Sequence, residues 1–339
     1  MKINKFVKRI FMIAVMLMGA ASAHAALSTS YVFNGNGNWS LDACGSNSTN
    51  PVCTINAVVP SGSTVEAAFL YSSLIPDASL TSVTLDGTTY SGAAWTSLGS
   101  NDVGLQAYRA DVTAQIAAAV GGGSASPYTF TVQSENPNSL VDGEVLAIIY
   151  SNPAESTRTI AFLDGFSATT GDATNVNLAD PLTAAQLADP SFEAMLSLGI
   201  GYGYQTVGDS SQSSIVSVNG TTITTCAGGQ DDGISANGGL ITVGGYGDST
   251  NAATCDNSGP RQDDELYSLT PNLAAGDTTI QINTSNPSHD DNIFFAGINI
   301  TAVAGVNEPP PSSVPEPGSI ALLGLGLLGL GFIGRKKAA

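Results

Sequence analysis

The chain has 339 residues, with 28 Asp and Glu against 10 Lys and Arg, a formal net charge of −18. Seven basic residues lie at the ends, so residues 26–313 keep only Arg109, Arg158 and Arg261 against every acidic residue but Glu316, a net charge of about −24. Such a field excludes nucleic acid and anionic membranes as partners, since binding them needs Lys or Arg to displace counterions. No lysine remains there for a Lys–Asn isopeptide crosslink, and 42% hydrophobic content is too high for a disordered acidic tail.

The chain opens with Lys2, Lys5, Lys8 and Arg9, then an apolar run from Ile10 to Met18, then Ala23-His24-Ala25. That order of charge, apolar core and small-x-small site is a secretory signal peptide over residues 1–25, to be cut by signal peptidase after Ala25. Ser30 to Phe33 reads as an opening strand and Asn34 to Asn38 as a loop. Val65 to Tyr71 reads as a buried strand. Ser82 to Leu85 ends on Asp86-Gly87 and returns through Thr88 to Tyr90, a hairpin signal. A helix is expected over Ala114 to Val120, capped by Thr113 and stopped at Gly121. Tyr128 to Val132 alternates, and Val145 to Tyr150 is continuously apolar, as in a strand buried on both faces.

Thr159 to Leu163 runs into another Asp-Gly at Asp164-Gly165. Thr183 to Leu198 is a second helix candidate, interrupted at Asp189-Pro190. Gly199 to Gly203 reads as a bulged β segment with Tyr202 and Tyr204 on one face, and Ile215 to Thr225 as a hairpin turning at Asn219-Gly220. Many short strands, Gly-rich turns and one or two short helices indicate a mainly β fold, a β-sandwich or jelly roll, over residues 26–305. A Pro/Ser linker follows at 306–313.

Two stretches of this domain resemble each other. Tyr128 to Ile149 and Thr278 to Ile298 share a strand, an Asn-Pro (Asn136-Pro137, Asn286-Pro287), an acidic loop and an Ala-x-Ile run. The offset is 157 at Val112-Thr113/Leu269-Thr270, 150 at Asn-Pro and 149 at Ala147/Ala296. Pro271 after Thr270 suits the first position of a helical turn. Internal duplication, giving two pseudo-symmetric halves, is the expectation; convergent turn chemistry is the alternative.

The four cysteines, Cys44, Cys53, Cys226 and Cys255, all lie in the exported part, where an even number indicates disulfides. Three connectivities are open; Cys44–Cys53 and Cys226–Cys255 are favoured because each pair is close in sequence within a Gly/Ser/Asn-rich loop. Zinc is the weaker reading, with no CxxC and His289 the sole histidine after residue 25. The clusters Asp263-Asp264-Glu265 and Asp290-Asp291 place adjacent oxygens in turns, the donor set Ca²⁺ takes, although neither has EF-hand spacing and a solvated acidic loop is the alternative. A serine hydrolase would depend on His289 and lacks the nucleophile elbow. Glycoside hydrolysis needs two defined carboxylates, which a count of acids does not nominate. Trp39, Trp95, Tyr90, Tyr108, Tyr202, Tyr204 and Tyr246 lie in Gly-rich surroundings where a ring stacks on a sugar, or else belong to the core.

The chain ends with Pro315-Glu316-Pro317, 17 uncharged residues from Gly318 to Gly334, and Arg335-Lys336-Lys337. The apolar run is at the lower limit of a membrane span, with the basic cluster on the cytoplasmic side. This tripartite order over residues 314–339 resembles the PEP-CTERM sorting signal of Gram-negative bacteria. The resemblance implies transient inner-membrane anchoring by a transmembrane helix at 318–334. An exosortase then cuts near Pro-Glu-Pro and passes the mature protein to the envelope, outer surface or extracellular matrix. The Asp111-Val112-Thr113 turn, the strand through Ala147 to Tyr150 and Leu163 to Phe166 resemble secreted adhesin-like β domains, which implies a surface role and no active site. The expectation is therefore a non-enzymatic surface or biofilm-matrix protein whose partners are extracellular polysaccharide or further copies of itself. The alternative is a secreted polysaccharide-active enzyme.

Overall fold

The computed structural model describes residues 27–46, 51–74, 80–101, 104–121, 126–135, 141–168, 170–201, 214–228, 241–250, 265–287 and 292–309. The organising element is β1, Ser28–Gly45. Its first half pairs antiparallel with β10 (Thr157–Asp164), from Ser28 opposite Asp164 to Asn36 opposite Thr157. Its second half pairs with β9 (Val141–Ser151), from Gly37 opposite Ser151 to Gly45 opposite Gly143. The stretch Asn34 to Asn38, expected as a loop, is therefore the point at which one continuous strand passes from one sheet to another. Gly37 fits that crossing because a β-carbon there would lie 2.2 Å from the Tyr150 carbonyl oxygen.

Each half of β1 nucleates one inner sheet. The first holds β9, β3 (Thr64–Leu74), β7 (Gln106–Asp111) and β6 (Trp95–Ser100). The second holds β10, β18 (Asn292–Ile300), β12 (Ala194–Gly201) and the short β15 (Thr242–Val243) and β16 (Leu266–Ser268). An outer sheet covers each. One has the order β2 (Val52–Ala57), β8 (Tyr128–Ser134), β4 (Ser82–Leu85), β5 (Thr88–Ser91). The other has the order β11 (Asp172–Leu178), β17 (Thr279–Ser285), β13 (Ser214–Val218), β14 (Thr221–Ala227), with β19 (Ala304–Val306) added beside β11.

Alternation sorts the core into three layers. On β9, Leu146, Ile148 and Tyr150 face the first outer sheet, packing on Ile55, Phe130 and Val132. Val145, Ala147 and Ile149 face the opposite way, onto a middle layer shared with Phe162, Phe294 and Phe295 of the second inner sheet. That sheet's other face, Ala161, Leu163, Leu196 and Ile298, packs on Val176, Val216 and Ile280. The molecule is thus two sandwiches back to back, four β layers deep, and β9 is buried on both faces as its apolar run requires. Aromatic rings fill the middle layer, with Tyr71 and Phe295 centroids 5.0 Å apart and Phe162 and Phe295 5.3 Å apart.

The two sandwiches repeat one topology: β2–β8–β4–β5 and β11–β17–β13–β14 have the same order, as do β9–β3–β7 and β18–β12–β16. The hairpin turns match, with Asp86-Gly87 at φ 46° and 83° and Asn219-Gly220 at 49° and 80°, the left-handed pair a type I′ turn demands. The Asp86 amide donates to the Thr131 carbonyl (2.7 Å) as the Asn219 amide does to that of Gln281 (2.8 Å). An offset of 150 holds over the second half of β18, placing Leu146 and Ile148 with Ala296 and Ile298 on outward-facing cores, and falls to 149 beyond the irregularity at Phe294. The sequence offset of 149 matches Ala147 with Ala296, which face opposite ways; the two halves share a topology, and at this point that register is one residue off.

Three local expectations change. Helix α1 is Thr113–Val120 with Val112 as its N-cap; Thr113 accepts from the Ala68 amide (2.9 Å) and so ties the helix to β3. Helix α2 is only Ala184–Ala188, capped by Thr183 in a capping box with Gln186; a turn follows at Asp189-Pro190, and Ala194 to Leu198 of that candidate is strand β12. Asp164-Gly165 makes no hairpin, because the chain there leaves the inner sheet for β11 in the outer one. The folded region also runs past 305: β19 ends at Val306, the Asn307 side chain accepts from the Asn175 amide and the Glu308 carbonyl from Asn177.

Candidate binding faces

The outward faces of the two outer sheets are built mainly from hydroxyl and amide side chains in register, with one apolar residue, Val52 or Ala173, at the edge of each. On the first, Val52, Gln133, Thr84 and Thr89 form one row across four strands, with Thr54 opposite Thr131 and Asn56 opposite Thr129 in the next rows. On the second, Ala173, Asn283, Ser217 and Thr222 form the matching row, with Asn175 opposite Gln281 and Asn177 opposite Thr279. Every position has a counterpart. Thr129 donates to the Asn56 side chain (3.1 Å), and Thr279 donates to that of Asn177 (3.3 Å).

Four strands of the first outer sheet carry no charged residue, and the five of the second carry one, Asp172. Asp172 accepts from the Ala168 amide (2.7 Å) at the sheet's end. Beside it a cleft of about 310 Å³ is lined by Ala173, Ser217, Asn283 and Ser285. Both described cations are committed internally. Arg109 pairs with Asp164 and lies 5.1 Å over the Phe69 ring, and Arg158 pairs with Glu193 at 2.6 Å. Arg261 lies outside the described residues.

Buried carboxylates cluster at the edge of the first sandwich. Successive same-face residues of β1 reach across to β2 and the residue that follows it: Ser40 accepts from the Val58 amide (2.9 Å), Asp42 accepts from the Asn56 amide, and Cys44 is bonded to Cys53. Burial pushes the Asp42 carboxyl up to about 6, although the Asn56 and Ala43 amides pull it down. Fully buried Glu144, opposite Cys44 and Ser72, accepts from Ser46 (2.7 Å), and burial raises its carboxyl to about 7. Cys44, Cys53 and Glu144 place donor atoms within 4.8 Å of one another. The sulfurs are spent on each other, so no thiolate is left for a metal. In the middle layer burial raises Asp164 against the pull of Arg109, and raises the neighbouring Tyr71 hydroxyl well above its ordinary range.

The sequence-derived candidates are distributed as follows. Cys226 is also disulfide-bonded, and Cys255 lies outside the described residues. Glu265, expected in a calcium loop, is buried instead, accepting from the Gly228 amide (2.7 Å) and the Tyr267 hydroxyl. It thereby ties the exit of β14 to β16. Asp263, Asp264, Asp290 and Asp291 lie outside the described residues, as do Ala23, Ala25, Tyr202, Tyr204, Pro315, Glu316, Pro317, Arg335, Lys336 and Lys337 and the span 318–334. No helix among the described residues is long and apolar enough to cross a membrane. The described aromatics serve packing: Trp95 donates to the Tyr90 carbonyl (3.1 Å), Tyr90 to Gln115 (2.7 Å), and Tyr108 to Gln106 (2.7 Å). Trp39 packs against the middle layer, and Tyr246 is the exposed one, at 42%. The polar rows are what the sequence reading missed. Their signal was present as Thr/Asn/Gln at every second position of β8 and β17.

Comparison with known proteins bears on the tail. Residues 313–337 match the model of the PEP-CTERM protein-sorting motif. No curated protein sequence matches the chain. Among solved structures, a β-porphyranase of glycoside hydrolase family 86 from the human gut bacterium Bacteroides plebeius is similar at 8% identity and a TM-score of 0.24, over 84% of this chain and 38% of that one. PNGF-II is similar at 10% identity and a TM-score of 0.24, over 75% of this chain and 60% of its own. Likeness of that degree carries nothing about chemistry.

Proposed function

We propose that this chain, whose PEP-CTERM sorting motif implies an exported protein processed by an exosortase and sorted to the envelope or extracellular space, is there a binding protein of the extracellular matrix rather than an enzyme. Its ligand is uncharged polysaccharide held on the outer sheet faces.

The observation that supports this reading is the pair of charge-free hydroxyl and amide faces on a strongly acidic chain. Thr, Ser, Asn and Gln both donate and accept hydrogen bonds, which suits the hydroxyls of a sugar chain. The threonine methyls offer small apolar patches to its C–H faces. Anionic polymers are repelled by the surrounding carboxylates, with both described arginines already paired.

The test is affinity electrophoresis of the mature protein through gels containing galactomannan, dextran or hydroxyethyl cellulose, with alginate as the anionic counterpart. Retardation by at least one neutral polymer and none by alginate is expected, with no reducing sugar released. Free migration in all three neutral gels sinks the reading, and sugar release replaces it with the enzymatic one.

A further inference from the structure

The repeated topology gives the molecule two outer faces of the same layout, with side chains at corresponding positions of each. Rows Val52–Gln133–Thr84–Thr89 and Ala173–Asn283–Ser217–Thr222 correspond position by position, and so do Thr131 with Gln281 and Asn56 with Asn177. Three buried core layers separate the outer sheets, one inside each sandwich and one between them. The two faces therefore point in opposite directions. With packed sheets roughly 10 Å apart, they stand about 30 Å from each other.

From this geometry we infer that the protein is a two-headed cross-linker, each outer face engaging a separate chain of neutral polysaccharide. The inference rests on the binding reading above and adds its valency. Opposed faces on a rigid four-layer body cannot be reached by one straight polymer segment, so two occupied faces join two segments. Charge selects the occupant. A second copy seated face to face would bring two bodies of strongly negative charge together, whereas an uncharged polymer meets no such repulsion. Linking two such sites raises avidity for a repetitive polymer without any new contact.

The experiment uses the mature protein with galactomannan as probe. Titration calorimetry against galactomannan oligosaccharides gives two sites per molecule, and mixing with the polymer raises its storage modulus at least tenfold. Thr131→Glu and Gln281→Glu place a carboxylate at the same point of either face. Each alone leaves one site of unchanged affinity and abolishes the rise in modulus; together they abolish binding. Thr54→Glu and Asn175→Glu form a second matched pair. All four positions are on solvent-facing rows, so melting temperatures stay within about 2 °C of the parent. One site per molecule in the parent, or a single variant that still cross-links, overturns the inference while leaving the binding reading intact. So does a dimer seen by light scattering without polymer that accounts for the cross-linking. Absence of binding by the parent to galactomannan, dextran and hydroxyethyl cellulose alike overturns the binding reading itself.

Discussion

The two sandwiches solve the same edge problem by different means. In the first, β2 is the outermost strand, and its outward amides would be orphaned without partners. Side chains of β1 supply them: Ser40 takes the Val58 amide, Asp42 takes that of Asn56, and the Cys44–Cys53 bond completes the seam. In the second, the matching strand β11 is covered by a further strand. Val176 pairs with Val306, Asn177 with Gly305, and Asn307 caps the Asn175 amide. The places of Ser40, Asp42 and Cys44 are then taken by Ala161, Leu163 and Gly165. The buried Glu144–Ser72 pair likewise gives way to Ile293–Ile200. The two halves share strand order and surface pattern while their polar devices at this edge differ. At this edge the first half depends on covalent and ionisable groups, the second on the chain just before the sorting tail.

What joins them is the aromatic middle layer, and removing part of it breaks the comparison most severely. Phe295 is fully buried between the inner sheets, packed on Tyr71 and Phe162. Phe295→Ala is expected to cost about 3–5 kcal/mol. Because the layer belongs to both halves, the loss lowers one shared unfolding transition. Calorimetry that instead resolves two transitions, one at the parent temperature, would show the sandwiches to be independent.

Next in size is the seam. Cys44 and Cys53 are nine residues apart in sequence, and opening so short a loop releases about 2–3 kcal/mol of unfolded-state restriction. Cys44→Ser with Cys53→Ser is therefore expected to lower urea stability by that amount, with unchanged signals from the second half. An equal loss of hydrogen-exchange protection in β11 and β17 would contradict the division drawn above.

Much of this was legible in the sequence, and the failures have physical causes. Alternation in Tyr128 to Val132, the Asp86-Gly87 and Asn219-Gly220 turns and the apolar run of β9 announce their structures, because local sterics and burial decide them. The Asn34 to Asn38 stretch does not, since its glycines serve a crossing between sheets that only the tertiary arrangement requires. Glu265 in an Asp-rich run looks like a solvent-facing ligand; its burial depends on meeting Gly228 and Tyr267 from distant turns. The binding faces were legible only as composition until pairing placed Gln133 beside Thr84 and Asn283 beside Ser217. The sorting tail was readable at once, because its recognition depends on linear order.

The last effect is conditional on pH, vanishes in acid and is confined to the first half's seam. Burial holds Glu144 at about 7 against an ordinary value of 4.5, so the folded state retains a proton that the unfolded chain has released. The contribution of this group to stability is complete below about pH 4.5. It falls as the pH rises through 7, by up to roughly 3 kcal/mol, and is flat beyond. Asp42, raised to about 6, acts in the same direction and ends its fall sooner. Glu144→Gln keeps the shape and an acceptor for Ser46 while removing the ionisation. In urea titrations the variant should match the parent at pH 4 and exceed it at pH 8, the gap opening between pH 5 and 7. The Asp42 slope remains in both proteins and cancels from their difference. Curves that stay parallel across this range would mean that Glu144 ionises in place without cost. The contrast with the apolar Ile293–Ile200 pair would then be one of packing alone.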